Sequence, residues 1–354
     1  MGHKMRIGYS FWGFLGNGIT DTPDGGRSHR LPLINALIDR GHEVVFLQSN
    51  RDLLEAGEDL RDAYAFDGGF PDIDILFLEW RWPIERRNTT QCGTEGHACD
   101  LHRQADLLKH YSTQRGLPTV IWDKDRQLRL ESPWRRASKT AVCEAALEPT
   151  QDAHRLLFPV DDRLLAQADP IALSTQPRDI ALGYAGNQYD RDEPFDRFVS
   201  PAAACVEHQV GGKWTRTSRW PHVTFLGRIP FEQVKHLYSR SLATVLLLPE
   251  RYATSGQMTQ RIFEAVLAGC LPLAPSDIRH VNRFVPEGLI VHSGRQVIQR
   301  IRHLQAIAGT EQHAQLIATC LNHLDLFRLS RQVDALEAVF EMVTSTDTAR
   351  QGAA

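Results

Sequence analysis

Short apolar runs alternate with amphipathic segments along the first half of the chain. The runs are rich in β-branched and aromatic residues and have the length of buried strands. These predicted strands cover 5–12, 43–49, 74–80 and 118–123. Helices are predicted between them, over 28–40, with Ser28 as N-cap and Pro32 in the first turn, and over 99–115. Alternating strands and helices indicate a parallel sheet that is covered on both faces.

The second half of the chain repeats this alternation. Strands are predicted at 179–185, 222–226, 242–248, 271–275 and 289–292. Helices are predicted at 230–241, at 259–268 and from 295 to 345. A stretch with turn residues and prolines, 159–178, separates the two halves. The pattern predicts two α/β domains, whose ligands would bind outside the carboxyl ends of the strands.

Composition and charge exclude several classes of protein. Apolar residues make up 42% of the chain and the net charge is −3, which is typical of a globular protein without a general electrostatic affinity for nucleic acid or membranes. A spanning helix and a secretory signal are not predicted, and we expect a cytoplasmic location. The spacing of Cys92, His97, Cys99 and His102 matches no common zinc pattern, so a loop is favoured over a metal site.

The segment 250–275 carries the clearest candidate chemistry. A loop containing Gly256 leads to Thr259, a predicted helix cap, and the first turns of the helix hold Gln260, Arg261 and Glu264. Amide groups at a helix start bind anions, Arg261 matches phosphate oxygens, and Glu264 can accept hydrogen bonds from neighbouring hydroxyls. These residues fit a nucleoside diphosphate. They fit equally well a plain amphipathic helix whose glutamate complements the helix dipole.

Several segments resemble, in order, the motifs of GT-B-fold glycosyltransferases, nearest to the large retaining family 4 and its CgeB-like relatives. The segments are Gly25-Gly26 with Gly41-His42-Glu43-Val44, Phe158-Pro159-Val160-Asp161, Gly186-Asn187 with Arg191, the strand–helix–strand over 222–249, and Ile262-Phe263-Glu264-Ala265 with Gly269-Cys270-Leu271-Pro272-Leu273. Each motif alone is weak, but their order from position 25 to position 273 is fairly specific.

The resemblance implies a fold and an activity. The fold would be α/β, with two Rossmann-like parallel-sheet domains facing a central cleft. These would be an acceptor-side domain over 5–165, a donor domain over 166–325 and a C-terminal helix over 326–345 that crosses back to the first domain. The activity would be transfer of a sugar from a nucleotide-diphosphate donor, with UDP before GDP as the nucleotide, retention of configuration, no metal and no cofactor.

The resemblance also implies roles for individual donor-site residues. Glu264 matches the second glutamate of the family's E-x7-E motif, which holds the ribose. The first glutamate would fall at position 256, where this chain has Gly256. Glu250 precedes that position at a spacing outside the pattern and would serve the sugar.

Other positions would serve the diphosphate. Asn187 and Arg191 occupy the places where the family usually has an arginine and a lysine that neutralise the diphosphate, and Arg228 and Arg261 would supply further charge. Gly25 and Gly26 would form a glycine loop of the first domain.

An inverting reaction would need a base for the acceptor's proton. The candidates are Asp123 and His29, together with Glu79 and Asp21, and each has an ordinary structural alternative in a loop, a helix turn or a surface pair. Aromatic residues at predicted strand ends would stack on a sugar ring or pack between sheet and helices. These are Phe11, Trp12, Phe14, Trp80, Trp82 and Trp122.

Other functions remain compatible with the pattern. One is a nucleotide-sugar epimerase on the same fold, and another is a non-catalytic sugar-nucleotide-binding protein with a degenerate cleft. A transferase acting on nucleic acid would use the basic stretch 126–136. The acceptor is therefore left open between a small molecule, a protein and nucleic acid, and the oligomeric state is not predicted.

Overall fold

The structure is a computed structural model, which describes residues 4–16, 25–84, 88 and 99–345. The chain divides into two compact units. Unit 1 consists of Met1–Gly16, Leu33–Leu157 and Arg331–Ala354, and unit 2 consists of Asn17–Pro32 and Phe158–Ser330. Each unit is built on one parallel sheet, which confirms the predicted α/β class.

Unit 1 contains a seven-stranded parallel sheet. Its strands are β1 (Arg6–Ser10), β2 (Glu43–Phe46), β3 (Ala65–Phe66), β4 (Ile75–Glu79), β5 (Thr119–Asp123), β6 (Thr140–Glu144) and β7 (Ala153–Arg155). They are ordered β3-β2-β1-β4-β5-β6-β7. In β1, Ile7 is in register with Val44 on one side and with Ile75 on the other. The strand order reverses between β1 and β4, so this is the topological switch point of the sheet.

Three α-helices accompany this sheet. They are α1 (Arg30–Asp39), α2 (Arg51–Ala56) and α3 (Asp100–Leu107), and a π-helix (Leu108–Gln114) continues α3. The Asn50 side chain caps α2 by accepting a hydrogen bond from the amide of Leu53 at 3.2 Å. The predicted capping role of Ser28 is wrong, because Ser28 ends a 3-10 helix (Gly25–Ser28) and α1 begins at Arg30.

Unit 2 contains a six-stranded parallel sheet. Its strands are β8 (Ile180–Ala185), β9 (His208–Gly211), β10 (Phe225–Gly227), β11 (Ser241–Val245), β12 (Leu271–Pro275) and β13 (Ile290–Val291). They are ordered β10-β9-β8-β11-β12-β13, the arrangement of a doubly wound nucleotide-binding fold. In β11, Ala243 is in register with Leu182 of β8 and Leu271 of β12. The switch point therefore lies between β8 and β11.

The described residues form ten further α-helices. They are α4 (Asp162–Gln167), α5 (Pro170–Thr175), α6 (Asp192–Pro194), α7 (Ser200–Ala203), α8 (Phe231–Arg240), α9 (Glu250–Ala253), α10 (Arg261–Leu267), α11 (Gly294–Ile307), α12 (Glu311–His323) and α13 (Leu329–Ser345). Helices α4 and α5 lie in the stretch 159–178, where their N-caps, Asp161 and Asp169, accept backbone amide hydrogen bonds. Among the described residues, none of the helices has the length and apolar character needed to cross a membrane.

The apolar face of α13 packs into unit 1. Five apolar residues that recur at helical spacing in this helix are buried, and they are Val333, Leu336, Val339, Phe340 and Val343. The ring of Phe340 meets that of Phe77 in β4 edge-on, with centroids 5.9 Å apart. On the same helix, Asp334 and Glu337 form ion pairs with Arg40, which follows α1. The last helix is therefore part of the core of unit 1.

The strands missed by the sequence analysis are β3, β6, β7 and β9. Strands β3 and β7 are short edge strands, so they need not carry a continuous apolar run. Strand β9 is internal but contains His208, whose ring is bonded locally: Nδ1 contacts the carbonyl oxygen of Val206 and Nε2 accepts from the amide of Thr224. Local satisfaction of that imidazole lets a polar residue occupy a buried strand.

Phe340→Ala tests the contribution of α13 to unit 1. Loss of this fully buried ring should lower the free energy of unfolding by about 3–5 kcal/mol. Met342, on the same helix and 44% exposed, is the control, and Met342→Ala should change stability by no more than about 0.5 kcal/mol. Urea unfolding followed by circular dichroism measures both, and equal losses would contradict this packing.

Candidate active site

The candidate site lies at the carboxyl ends of β8 and β11, on either side of the switch point of unit 2. The loop 186–191 follows β8, and the segment 246–260 leads from β11 through α9 to α10. Open α/β sheets bind ligands where the strand order reverses, because the loops diverge there and leave backbone groups accessible. Most of the predicted donor-site residues are therefore on neighbouring loops.

Hydrogen bonds link the loop 186–191 to the loop that follows β9. The indole nitrogen of Trp214 donates to the carbonyl oxygen of Gly186 at 2.8 Å, and the amide of Lys213 donates to Oδ1 of Asn187 at 2.7 Å. The Gln188 side chain accepts from the amide of Thr215 at 2.9 Å. Asn187, which stands where the family has a cation, thus orders the loop in this chain.

Arg191 joins the two loops of the switch point. Its Nε donates to the carbonyl oxygen of Leu247 at 3.1 Å, and its Nη1 donates to those of Asn187 at 3.2 Å and Tyr189 at 2.9 Å. These acceptors are neutral, so within the described part of the chain no carboxylate is hydrogen-bonded to this guanidinium. The charge of Arg191 remains as a source of positive potential at the strand ends.

Arg261, Glu264 and Ser28 form a hydrogen-bonded cluster. Nη1 of Arg261 donates to Oε2 of Glu264 at 2.5 Å, and the hydroxyl of Ser28 donates to Oε1 of the same carboxylate. The side chain of Glu264 is 11% exposed and that of Arg261 is 22% exposed. Burial acts to lower the pKa of Arg261, but the charge and hydrogen bond of Glu264, together with Tyr238 and Tyr184, outweigh it and the pKa is raised. Arg261 is therefore a permanent cation.

The positive charges of Arg191 and Arg261 both act on the phenol of Tyr184. Burial raises the pKa of the Tyr184 phenol, whereas the positive charges of Arg191 and Arg261 both act to lower it. The phenolic oxygen lies under Gly186, where an added Cβ would come within 2.6 Å of it. Two guanidinium groups thus act on one point at the carboxyl end of β8, an arrangement suited to a bound anion.

The glycine segment Gly25–Ser28 belongs to unit 2 and brings Ser28 to Glu264. A Cβ on Gly26 would lie 2.2 Å from Nη1 of Arg30, whose side chain is fully buried, so glycine at position 26 makes room for that guanidinium. Arg27 lies over the ring of Phe231 at 5.4 Å. These contacts hold the segment in place.

His29, a predicted catalytic residue, follows that segment and is buried. Its imidazole packs against the ring of Phe158, with centroids 4.4 Å apart. The location favours a packing role for this ring in the structure described. The catalytic assignment of His29 stays a prediction.

Gly256 follows α9 in a backbone conformation that favours glycine. Its φ is +62°, and the residue is buried. Glu250, a predicted catalytic residue, is exposed at the first position of α9. Arg228, also exposed, directly follows β10. Of these three positions, Glu250 and Arg228 present charged side chains to solvent.

The start of α10 differs from the prediction. Thr259 does not cap the helix: the N-cap is Gln260, whose side chain makes no capping hydrogen bond, and the carbonyl oxygen of Thr259 accepts from the amide of Ile262. The helix has seven residues, which limits its dipole. Positive charge at this end of α10 therefore comes chiefly from Arg261.

Asp123, the remaining predicted catalytic residue, is fully buried at the end of β5 in unit 1. Its Oδ1 accepts from the amide of Gln127 at 2.9 Å and its Oδ2 from that of Leu128 at 2.8 Å. Burial raises its pKa to about 6, although these backbone hydrogen bonds act in the opposite direction. The contacts order the following loop, and the catalytic assignment stays a prediction.

Other polar groups at the strand ends of unit 1 are paired. Glu79 accepts from the hydroxyl of Tyr9 at 2.6 Å and pairs with Lys124 at 2.7 Å. Glu144 pairs with Arg126, and with Arg135 at 2.8 Å, so the stretch 126–136 is partly neutralised. Both carboxylates are buried and paired, which favours a structural role for part of the basic stretch.

The aromatic residues near the strand ends of unit 1 mostly pack. Phe11, Phe14 and Trp122 are buried, and the indole nitrogen of Trp122 donates to the carbonyl oxygen of Leu156. Trp12 lies under the guanidinium of Arg51 at 4.1 Å. Packing, rather than stacking on a sugar ring, therefore accounts for most of these aromatic side chains.

Among the described residues, no set of three or more His, Cys, Asp or Glu side chains is arranged to hold a metal ion. Cys92 and His97 lie outside the described residues, as does Asp21. The zinc question for Cys92, His97, Cys99 and His102 therefore stays a prediction.

Two contributors to the site were not found from the sequence. Ser28 was interpreted as a helix cap, and Tyr184 as an ordinary strand residue. The contact between Ser28 and Glu264 spans 236 positions of the chain, and no local spacing encodes it. The predicted strand over 179–185 did include Tyr184, but the two arginines that act on its phenol come from other elements.

Comparison with known proteins gives a partial family match. Residues 191–335 match the model of a family described as glycosyl transferase-like. This range begins at Arg191 and includes Arg261 and Glu264. No curated protein gives a significant match to the chain.

Solved structures with similar folds include three glycosyltransferases. The β-glucosyltransferase of phage T4 in complex with UDP-glucose has a TM-score of 0.60 at 11% identity, covering 96% of this chain and 99% of that one. AviGT4, involved in avilamycin A biosynthesis, has a TM-score of 0.61 at 12% identity, covering 96% and 98%. HepE of Anabaena in complex with UDP-glucose has a TM-score of 0.58 at 13% identity, covering 96% and 100%.

The family match indicates the class of enzyme, and the solved structures indicate the fold. The chain therefore has the GT-B fold, and its residues 191–335 support the glycosyltransferase class, so the resemblance and the enzyme class predicted from the sequence are confirmed at that level. The narrower family-4-like or CgeB-like assignment stays a prediction.

Gly212→Ala tests the close packing between the loop 186–191 and the loop that follows β9. A Cβ at Gly212, where φ is +131°, would lie 2.1 Å from the carbonyl oxygen of Gly186. At Gly227, φ is +72° and nothing lies within 4 Å of the added carbon, so Gly227→Ala should cost only about 1–2 kcal/mol. Urea unfolding should show Gly212→Ala to be less stable than this control by about 2 kcal/mol or more. Equal costs would contradict the close approach.

Asp123→Asn tests the environment at the end of β5. Because the pKa of folded Asp123 is about 6, above the ordinary 3.8, the folded state binds the proton more tightly. The group therefore stabilises the fold below about pH 4 and loses that contribution as the pH rises to 6, a change of about 3 kcal/mol relative to Asp123→Asn. Urea unfolding from pH 4 to pH 7 measures the difference, with exposed Asp72→Asn as control. A pH-independent difference between wild type and Asp123→Asn would contradict the raised pKa.

Proposed function

We propose that the protein transfers a sugar from a UDP-sugar to an acceptor, and that the donor binds at the carboxyl ends of β8 and β11. The observation that carries this proposal is the position of two arginines at these strand ends: Arg191 follows β8 and donates to the carbonyl oxygen of Leu247 after β11, and Arg261 begins α10, with Glu264 three residues beyond it. Two cations suit a diphosphate, and a nearby carboxylate suits the ribose hydroxyls.

The choice of donor follows the structural relatives. The phage T4 β-glucosyltransferase and HepE of Anabaena were both solved with UDP-glucose. Their sequence identity to this chain is low, so the relatives support UDP as the nucleotide and glucose only as the first sugar to examine. Glu264 then has the role of the family's ribose-binding glutamate.

The proposed chemistry depends on stabilising the leaving group. As the bond between sugar and diphosphate breaks, negative charge accumulates on the departing UDP. Arg191 is held by neutral carbonyl groups, so its charge is available to the leaving group. Arg261 keeps its charge while it pairs with Glu264, and it adds to the positive potential there. A preorganised donor of this kind typically contributes about 3 kcal/mol to transition-state stabilisation. We propose that these side chains replace a metal ion.

The roles proposed for the other candidate residues follow from the solvent exposure of their side chains. Glu250 is exposed at the start of α9 and is the proposed sugar-side carboxylate. Retention of configuration is part of the proposal, and it requires no side-chain base, consistent with the burial of Asp123 and His29. The acceptor is left unassigned.

UDP binding tests the donor site. Thermal unfolding would be measured with UDP, GDP, ADP, dTDP and CDP, on wild type and Glu264→Gln. At 100 times its Kd, UDP should add about 2.7 kcal/mol to the stability of the wild type. Loss of the carboxylate charge should weaken UDP binding about tenfold or more.

Glu311→Gln is the matched control, because it makes the same change at an exposed position in α12. It should respond to UDP as wild type does. Hydrolysis of UDP-glucose by the wild type, reduced in Glu264→Gln, would extend the result from binding to catalysis. If none of the five diphosphates shifts the wild type, or if Glu264→Gln matches it, the donor site is wrongly assigned.

A further inference from the structure

The carboxylate of Glu264 is engaged through both oxygens. Oε2 accepts from Arg261 at 2.5 Å, a contact within the first turn of α10. Oε1 accepts from the hydroxyl of Ser28, which comes from the glycine segment Gly25–Ser28 far away in the chain. The first contact is local to the helix, whereas the second exists only because the fold brings a distant segment to the site.

The Ser28 hydroxyl makes the same interaction that a ribose hydroxyl would make. Both are aliphatic alcohols, and both donate a hydrogen bond to an ionised carboxylate, which is one of the stronger hydrogen bonds in proteins. Glu264 is largely buried, so few directions of approach to its oxygens remain. A ribose hydroxyl arriving at Oε1 therefore meets a position already used by Ser28.

The segment that carries Ser28 is held independently of this contact. Gly26 packs directly against the buried guanidinium of Arg30, Arg27 lies over Phe231, and the amide of His29 donates to the carbonyl oxygen of Gly26 at 3.2 Å. Rotation of the serine side chain about χ1, between staggered rotamers, releases the hydroxyl from Glu264. The segment itself can stay in place.

We propose that Ser28 is a specificity-determining and positioning residue, whose hydroxyl holds Glu264 until a ribose hydroxyl of the donor displaces it. The inference rests on the proposed function, because it requires Glu264 to receive the ribose. Displacement lowers the apparent affinity by the fraction of molecules in which Glu264 is open. A nucleotide without ribose hydroxyls gains nothing from Glu264 and leaves the serine bound.

The test compares UDP with 2′,3′-dideoxyuridine diphosphate. Dissociation constants would be measured by isothermal titration calorimetry for wild type, Ser28→Ala and Ser28→Thr. Ser28→Ala should bind UDP about threefold more tightly or better, with no change for the dideoxy nucleotide. Ser28→Thr retains the hydroxyl and should resemble wild type. Ser239→Ala, which removes a hydroxyl bonded to the carbonyl oxygen of His236, is the matched control and should leave both affinities unchanged.

Three results would overturn the inference. Weaker UDP binding by Ser28→Ala would make the serine a donor contact, an unchanged UDP affinity would exclude competition, and equal shifts for both nucleotides would exclude the ribose as the competing group. If UDP binds in a Glu264-dependent way but Ser28→Ala matches wild type, only this inference fails. If neither wild type nor Ser28→Ala binds UDP, the proposed function fails with it.

Discussion

Burial of the parallel strands on both faces confines the chemistry of this protein to the strand ends. Every residue of β4, β5, β8, β11 and β12 is buried. These strands therefore have no solvent-facing side chains that could bind a ligand along their length. In unit 1, β4, β5 and β6 end on the carboxylates of Glu79, Asp123 and Glu144. In unit 2, the equivalent strands β11, β12 and β13 end on the uncharged residues Val245, Pro275 and Val291. The two sheets thus share a topology but present different groups at corresponding edges.

The charges at these edges are balanced in different ways. In unit 1, Glu79 pairs with Lys124, and Glu144 pairs with two arginines, because an unpaired buried carboxylate would be too costly. Burial acts to raise the pKa of Glu144, yet its hydrogen bonds from Thr150 and Arg135 lower it. In unit 2, Arg191 is instead held by backbone carbonyls. An added anion would find an available cation in unit 2, which is the physical basis for locating the donor there.

The sequence predicted the sheets better than the contacts between segments. Buried strands must be apolar, so their runs are visible in the sequence, and β12 was predicted with its observed bounds. The edge strands β3 and β7 lack that requirement and were missed. Ser28 has the local signature of a helix cap, but its hydroxyl bonds to Glu264 in the folded protein. Sequence periodicity indicates which residues of an element are buried. It does not indicate which distant side chain forms a hydrogen bond with a given polar group.

The departure from the family's glutamate motif has a backbone explanation. At position 256, where the resemblance places the first glutamate, φ is +62° and the residue is buried. A glutamate there would combine a left-handed backbone with a buried carboxylate, and both are unfavourable. The turn after α9 therefore requires a residue such as glycine, and Glu250, exposed at the beginning of that helix, is the carboxylate which this backbone leaves accessible. The glycine at position 256 is thus tied to the path of the chain between β11 and α10, while Glu264, on the regular helix beyond it, is the residue that the resemblance leads us to expect there.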